Sequence, residues 1–190
     1  THTILVTAMT CGAWWLLLRI VRQPRPLHFA ALGPLCALGL LAKYSFALVI
    51  AAMLLAALSV PESRRALLSR GWWWAPLVGL IVVAPHAAWL MAHLQEATTG
   101  TIGKMQIHPE RRLGKGLLSF ADGIAGTLAL WAIVAVWAFR GAWWRRPLAP
   151  AMPWAHRVFV RYHVLVLLAL LGMVLFAGVT NFKGRWVLPL

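Results

Sequence analysis

Five basic residues of this 190-residue chain lie beside or inside long apolar blocks, where a positive charge can bind an anionic group at a membrane surface. They are Lys43, Lys104, His108, Lys183 and Arg185. An arginine fork matches two phosphate oxygens at once, and a lysine adds a compact point charge. The chemistry that these residue types predict is the binding of an anion, with phosphate as the best match for the loop residues and for the pair near the end of the chain.

Each of these residues also has an interpretation that needs no ligand. A lysine near the bilayer centre costs about 2.5–3.5 kcal/mol on insertion scales, so Lys43 has an anionic partner, marks a bend that reaches water, or snorkels from a helix end. Lys104 and His108 could contact only lipid headgroups. Lys183 and Arg185, next to aromatic residues, could be simple interfacial anchors.

Acidic residues are scarce, and one of them lies early in an apolar block. The four acids are Glu62, Glu96, Glu110 and Asp122. Asp122 could act as a general base, accept a hydrogen bond from a substrate or pair with Lys43, whereas an acid in the first turn of a helix is the alternative. The catalytic residue is therefore left unassigned, with Asp122 as its one candidate inside the chain.

Two histidines in one apolar block raise the question of a metal. His86 and His93 are seven residues apart and share a helix face. Metal-binding pairs on helices favour a spacing of four with a carboxylate nearby, and neither feature is present. We therefore predict no metal site, and we interpret His86, which follows Pro85, as a hydrogen-bonded histidine at a helix kink.

The elements that would carry these residues are membrane helices. The composition is 62% hydrophobic and only 12% charged, about half the charged fraction of a soluble domain. Apolar blocks near the ~20-residue length of a membrane span follow one another along the chain. The blocks are 4–18, 29–60, 72–94, 116–139 and 163–179. The predicted fold class is all-α, a polytopic transmembrane bundle of about six membrane helices.

The basic residues predict the topology and a bent helix pair. The net charge is +14, and the segments 19–28, 61–71 and 140–161 carry 11 of the 18 Lys and Arg residues. Placing all three in the cytoplasm satisfies the positive-inside rule and explains the charge without a nucleic-acid partner. Block 29–60 must then leave and return, which predicts two short helices bent near Lys43. The rival interpretation is one tilted span with a basic loop outside.

Three short motifs resemble one family of membrane enzymes. They are Gly39-Leu-Leu-Ala-Lys43-Tyr-Ser, Pro85-His-Ala-Ala-Trp89 and Phe182-Lys183-Gly-Arg185-Trp186-Val-Leu-Pro189. Their order and spacing are similar to those of the polyprenyl-phosphate-sugar-dependent glycosyltransferases of the protein O-mannosyltransferase and lipid A aminoarabinose transferase type. The resemblance implies a GT-C membrane bundle that transfers a sugar from a polyprenyl-phosphate carrier. It assigns Lys43, Lys183 and Arg185 to the lipid phosphate, with Lys104 and His108 as further candidates.

The same resemblance implies a setting. The expected protein is a multi-pass membrane enzyme, without a cofactor, acting on a lipid, glycan or protein acceptor at the outer face. The richness in Ala, Leu, Arg and Trp suggests a bacterium, so the expected location is the bacterial inner membrane. Its partners are membrane lipids, the donor and the acceptor. The family's catalytic acid lies in a first outer loop, so we expect it upstream of Thr1 and interpret 1–190 as a single transmembrane domain, a fragment inactive alone that lacks this loop and a C-terminal part.

Two other classes of function remain open at this stage. A transporter or lipid flippase fragment would show broken helices in two matching halves, and only the break near Lys43 is present. A non-catalytic membrane assembly subunit would show faces of small residues spaced four apart, and Gly123 and Gly126 are too sparse to establish one.

Overall fold

The computed structural model describes residues 2–94, 113–140 and 152–177, which form seven α-helices and no strand. The helices are α1 (His2–Arg22), α2 (Pro26–Ala42), α3 (Phe46–Ser59), α4 (Pro61–Leu67), α5 (Trp74–Ala92), α6 (Leu113–Phe139) and α7 (Pro153–Ala177). Within the described ranges, α1, α5 and α7 are each long and apolar enough to cross a bilayer. Helices α3 and α4 together are also long and apolar enough to cross a bilayer, although the angle between them is 113°. The prediction of an all-α membrane bundle is confirmed.

The predicted break inside block 29–60 falls at residues 43–45, between α2 and α3. Helix α2 begins with a proline at its first position, where a missing N–H group costs nothing. Its last turn is closed by Lys43, whose backbone N–H donates to the carbonyl oxygen of Gly39 at 3.0 Å. A Cβ atom on Gly39 would overlap the ring of Phe46, so this glycine lets α3 begin against α2. The block is therefore two short helices, not one tilted span.

All three basic segments, which were predicted as connections between the apolar blocks, are partly helical, so those boundaries were wrong. Segment 19–28 contains the end of α1 and the first residues of α2. Segment 61–71 contains α4, and segment 140–161 contains the start of α7, ten residues before the predicted start at His163. The physical reason is tertiary contact. Arg157 of α7 forms an ion pair with Glu62 of α4 at 2.6 Å. Arg161 donates to the backbone oxygen and the hydroxyl of Ser59 at 2.7 and 2.8 Å, which satisfies a carbonyl at the end of α3.

These contacts bring together the first two basic segments and residues 152–161 of the third at one end of the bundle, called here the basic end. Glu62 joins the second segment to the third through Arg157. The second segment also meets the first, because a Cβ atom on Gly71 would lie 2.9 Å from Phe29 and 3.4 Å from Pro26. This arrangement is the one that the positive-inside rule requires if all three segments face the cytoplasm.

The buried core joins α1, α2, α3 and α7, with a smaller contribution from α4. Trp14 of α1 packs edge-on against Tyr162 of α7, with ring centroids 5.0 Å apart. Phe29 and Phe46 bring α2 and α3 into the same cluster. Helix α5 differs from these helices: none of its residues is buried, and its main contacts are with α2. The position of α5 therefore depends on the α2–α5 contact.

We expect the contacts of Arg161 to contribute modestly to stability. The guanidinium group is exposed, so replacing it in Arg161→Met should lower the free energy of unfolding by about 1 kcal/mol. Unfolding by SDS in mixed micelles measures this value. Arg64→Met on α4 is the matched control, because it removes another exposed positive charge from the same end. Equal losses in the two variants would show that net charge, not the contact with Ser59, causes the effect.

Candidate functional site

The break between α2 and α3 lies at the end of the bundle opposite the basic end. Helix α2 has 17 residues and is therefore about 25 Å long, slightly less than the ~30 Å hydrocarbon core. If Pro26 lies at the cytoplasmic interface, Lys43 lies just within the outer boundary of the core. Its side chain is half-buried and its backbone is extended, with φ −161° and ψ 118°. Lys43 therefore lies at a helix bend, as predicted.

A hydrogen bond ties this break to α5. The hydroxyl oxygen of Tyr44 lies 3.0 Å from Nε2 of His86. Helix α5 continues through Pro85, so His86 projects from an unbroken helix toward the break. The interpretation of His86 as a hydrogen-bonded histidine is correct. Its partner was missed, because no local sequence pattern indicates a contact between residues 42 positions apart.

Three rings follow one another along the outer part of α5. The ring centroids of His86 and Trp89 are 6.0 Å apart, and those of Trp89 and His93 are 4.8 Å apart with an angle of 15° between the planes. Spacings of three and four residues bring such rings onto one helix face. Together with Tyr44 they form a row that we call the aromatic strip: Tyr44, His86, Trp89 and His93. The strip is partly open, since 50% of the Trp89 surface is exposed.

An apolar groove of about 460 Å³ lies between α2, α3 and α5. Its walls are almost entirely hydrocarbon and include Leu40, Ile50, Met53, Trp72, Leu80 and Val83. Leu40 is one helical turn before Lys43, so the groove approaches the break. The groove extends from there to Phe29 near the basic end of α2.

Two glycines set how closely α2 and α5 approach at the groove. A Cβ atom on Gly33 would overlap the carbonyl oxygen of Ala75 and lie 2.8 Å from the backbone nitrogen of Gly79. In the other direction, a Cβ atom on Gly79 would lie 3.2 Å from the carbonyl oxygen of Gly33. The two backbones are therefore in direct contact. Small residues at such positions are the usual way in which membrane helices pack closely.

The other predicted site residues are not brought to the break by the described part of the chain. Asp122 is exposed on α6, whose main described contacts are with α7. Its role as a base or as a partner of Lys43 stays a prediction. Four residues lie outside the described ranges, so their predicted phosphate contacts are neither supported nor contradicted. They are Lys104, His108, Lys183 and Arg185. In the described part, no three His, Cys, Asp or Glu side chains form a metal-binding group.

Comparison of the sequence with known proteins finds a family model and curated relatives that match the chain. Residues 1–89 match the family model described as dolichyl-phosphate-mannose-protein mannosyltransferase. The match includes the break, Lys43 and the strip as far as Trp89. The chain is also 32% identical over 196 residues to the lipopolysaccharide core galacturonosyltransferase RgtA of Rhizobium johnstonii. It is 30% identical over 194 residues to the lipopolysaccharide core galacturonosyltransferase RgtB of the same organism.

The chain is similar to membrane glycosyltransferases. The resemblance found in its motifs is therefore confirmed. Both relatives match over the whole of this chain, whereas the chain spans only 38% and 39% of their own length. No solved structure matches the chain.

Proposed function

We propose that the whole protein transfers a sugar from a polyprenyl-phosphate carrier to a glycan acceptor at the outer face of the bacterial inner membrane. The observation that carries this proposal is the apolar groove that approaches Lys43 at the break. A groove lined by hydrocarbon suits a long apolar chain, and a lysine at its end suits the anionic head of the same molecule. A polyprenyl phosphate has both parts.

The proposed reaction assigns a distinct task to each group. The acceptor hydroxyl oxygen bonds to the anomeric carbon of the sugar, and the bond from that carbon to the phosphate oxygen breaks with its electron pair moving to the phosphate. A carboxylate takes the hydroxyl proton, and it is either a residue upstream of Thr1 or Asp122. Lys43 stabilises the charge that develops on the leaving polyprenyl phosphate. Lys183 and Arg185, with Lys104 and His108, are proposed as further phosphate contacts. The reaction needs no redox cofactor.

The relatives suggest the sugar and the acceptor. Both are named as galacturonosyltransferases of the lipopolysaccharide core, and both match the chain from end to end. We therefore propose galacturonic acid as the sugar and the lipopolysaccharide core as the acceptor. Membrane lipids surround the exposed apolar faces of α5, α6 and α7 in this proposal.

A substitution at the rim of the groove tests the lipid-linked donor. Leu80 lines the groove and is 67% exposed, whereas the next residue, Ile81, is 64% exposed and does not line it. A tryptophan at Leu80 can enter the groove without a clash in the core, so Leu80→Trp should raise KM for a long-chain donor about tenfold. Ile81→Trp is the matched control and should leave KM within about twofold. Transfer by the whole protein in nanodiscs provides the measurement.

Transfer measured with a lipid-linked donor and with a nucleotide-linked donor tests the proposed class of donor. The proposal requires transfer from polyprenyl-phosphate galacturonic acid and none from a nucleotide-linked galacturonic acid. It also requires the effect of Leu80→Trp to disappear when the donor chain is too short to enter the groove. Transfer from the nucleotide sugar alone, or equal effects of the two tryptophan variants, would contradict the lipid-linked donor.

A further inference from the structure

The aromatic strip lies beside Lys43, and no step assigned so far uses it. Tyr44 follows Lys43 directly in the chain, and its hydroxyl group joins the break to His86 of α5. We propose that the strip is the surface that holds the sugar ring of the donor and selects a sugar with a carboxylate group. This inference rests on the proposed function, because it assigns the sugar end of the same donor.

The covalent structure of the donor indicates where its sugar would lie. The sugar is bonded to the phosphate, so the residue that holds the phosphate also places the sugar within one or two bonds of it. With the apolar chain in the groove and the phosphate at Lys43, the sugar must lie beyond the break. The strip begins there with Tyr44 and continues along α5 to His93 for about 10 Å.

The chemistry of the strip suits a pyranose ring. The rings of His86, Trp89 and His93 stack on one another, so their edges form the outer surface of the strip, and the polar edges of Tyr, Trp and His offer hydrogen bonds. The carbonyl oxygen of Trp89 can only accept, so Nδ1 of His93 donates to it at 3.0 Å. Nε2 of the same ring remains available for a hydrogen bond with a sugar hydroxyl group. A half-open row of rings with polar edges is therefore able to bind one face of a sugar.

The charges around the strip favour an acidic sugar. Neither the α2–α3 pair nor α5 contains an Asp or Glu residue. Glu62, the acid closest along the chain to the break, lies on α4 at the basic end. Glu96 follows His93 by three residues and lies outside the described residues. A sugar carboxylate at the strip would therefore meet Lys43 and imidazole groups without a carboxylate from these helices. An amino sugar would find no acidic partner on them.

Direct binding measurements on the whole protein in nanodiscs test the assignment independently of turnover. The probes are polyprenyl-phosphate galacturonic acid, polyprenyl-phosphate galactose and bare polyprenyl phosphate. Trp89→Leu should raise the Kd of both sugar-bearing lipids about tenfold and leave the Kd of the bare lipid unchanged. Trp89→Phe keeps a ring and should recover most of the affinity. Trp137→Leu on α6, where the tryptophan is 74% exposed, is the matched control and should change none of the three values.

A second variant tests the selection of the carboxylate. His86→Phe keeps the ring and removes both nitrogens, so the preference for galacturonic acid over galactose should fall about tenfold. The conservative Tyr44→Phe removes only the hydroxyl group, and it keeps the test valid if His86→Phe does not fold. An unchanged preference in both variants would overturn the selection of an acidic sugar.

The Kd of the bare lipid distinguishes a strip that binds the sugar from a strip that binds the phosphate or stabilises the fold. If Trp89→Leu weakens all three lipids equally, the strip acts on the phosphate or on the fold, and the assignment is wrong. If it weakens none of them, the strip is only an interfacial anchor, and the assignment is also wrong. Tight, sugar-dependent binding by a wild-type protein that transfers nothing would instead contradict the proposed function and leave the strip as a sugar-binding surface.

Discussion

Replacing Lys43 by methionine should lower kcat/KM for the lipid-linked donor about 100-fold, a loss of roughly 2.7 kcal/mol of transition-state stabilisation. The reason is the charge that appears on the phosphate as its bond to the sugar breaks. Methionine keeps much of the length and apolar character of the side chain at the bend but cannot offset that charge. Lys43→Arg keeps the positive charge and should retain part of the activity, because the guanidinium group presents a different geometry.

The measurement is a comparison of kcat and KM in nanodiscs. A loss mainly in kcat indicates charge stabilisation in the transition state, whereas a rise in KM alone indicates ground-state binding of the phosphate. Arg64→Met removes one positive charge at the basic end and is the control for a general effect of net charge. If Lys43→Met stays within twofold of the wild type, Lys43 is only a snorkelling lysine at a helix bend.

The break at Lys43 was predictable because two independent constraints agree there. A block of 32 residues is too long for one span, and the basic segments on both sides require it to return to the same side. A lysine in the middle of the block marks the only charged position in it. Length, charge and residue type therefore all indicate the same place, and the structure has its break at 43–45.

The helical character of the basic segments was not predictable from local pattern. Arginines and prolines in 140–161 indicate a loop when the segment is considered alone. The structure continues α7 through Arg157 and Arg161 because Glu62 and Ser59 lie opposite them on another part of the chain. Contacts between residues about 100 positions apart leave no periodic signal in one sequence. The Tyr44–His86 contact was missed for the same reason.

The α2–α5 contact did leave a signal, although it is easily overlooked. Gly33 and Ala37 on α2 are four residues apart, and so are Ala75 and Gly79 on α5. That spacing places two small residues on one helix face, the pattern by which membrane helices approach closely. Gly123 and Gly126, the glycines considered above as a possible packing face, lie on α6 instead. A Cβ atom on Gly126 would have no neighbour within 4 Å.

Adding one methyl group at Gly33 should clearly destabilise the protein. Its Cβ atom would overlap the carbonyl oxygen of Ala75 and crowd the backbone nitrogen of Gly79, and backbone atoms cannot rotate away. Gly33→Ala should therefore lower the free energy of unfolding by about 2 kcal/mol, within the usual cost of overpacking. Gly79→Ala should cost about 1 kcal/mol, because its Cβ atom would lie 3.2 Å from the carbonyl oxygen of Gly33.

The same methyl group should also reduce transfer, because α5 has no buried residue of its own and depends on α2 for its position. A displaced α5 carries His86 away from Tyr44 and Trp89 away from the break. Gly126→Ala is the matched control, because it makes the same chemical change in α6 with open space around the new methyl group. The gain in helix propensity should raise the free energy of unfolding by up to about 1 kcal/mol. Unfolding in SDS mixed micelles gives both values. Equal stabilities of Gly33→Ala and Gly126→Ala would mean that α2 and α5 do not touch, and the groove and the strip would then have no common wall.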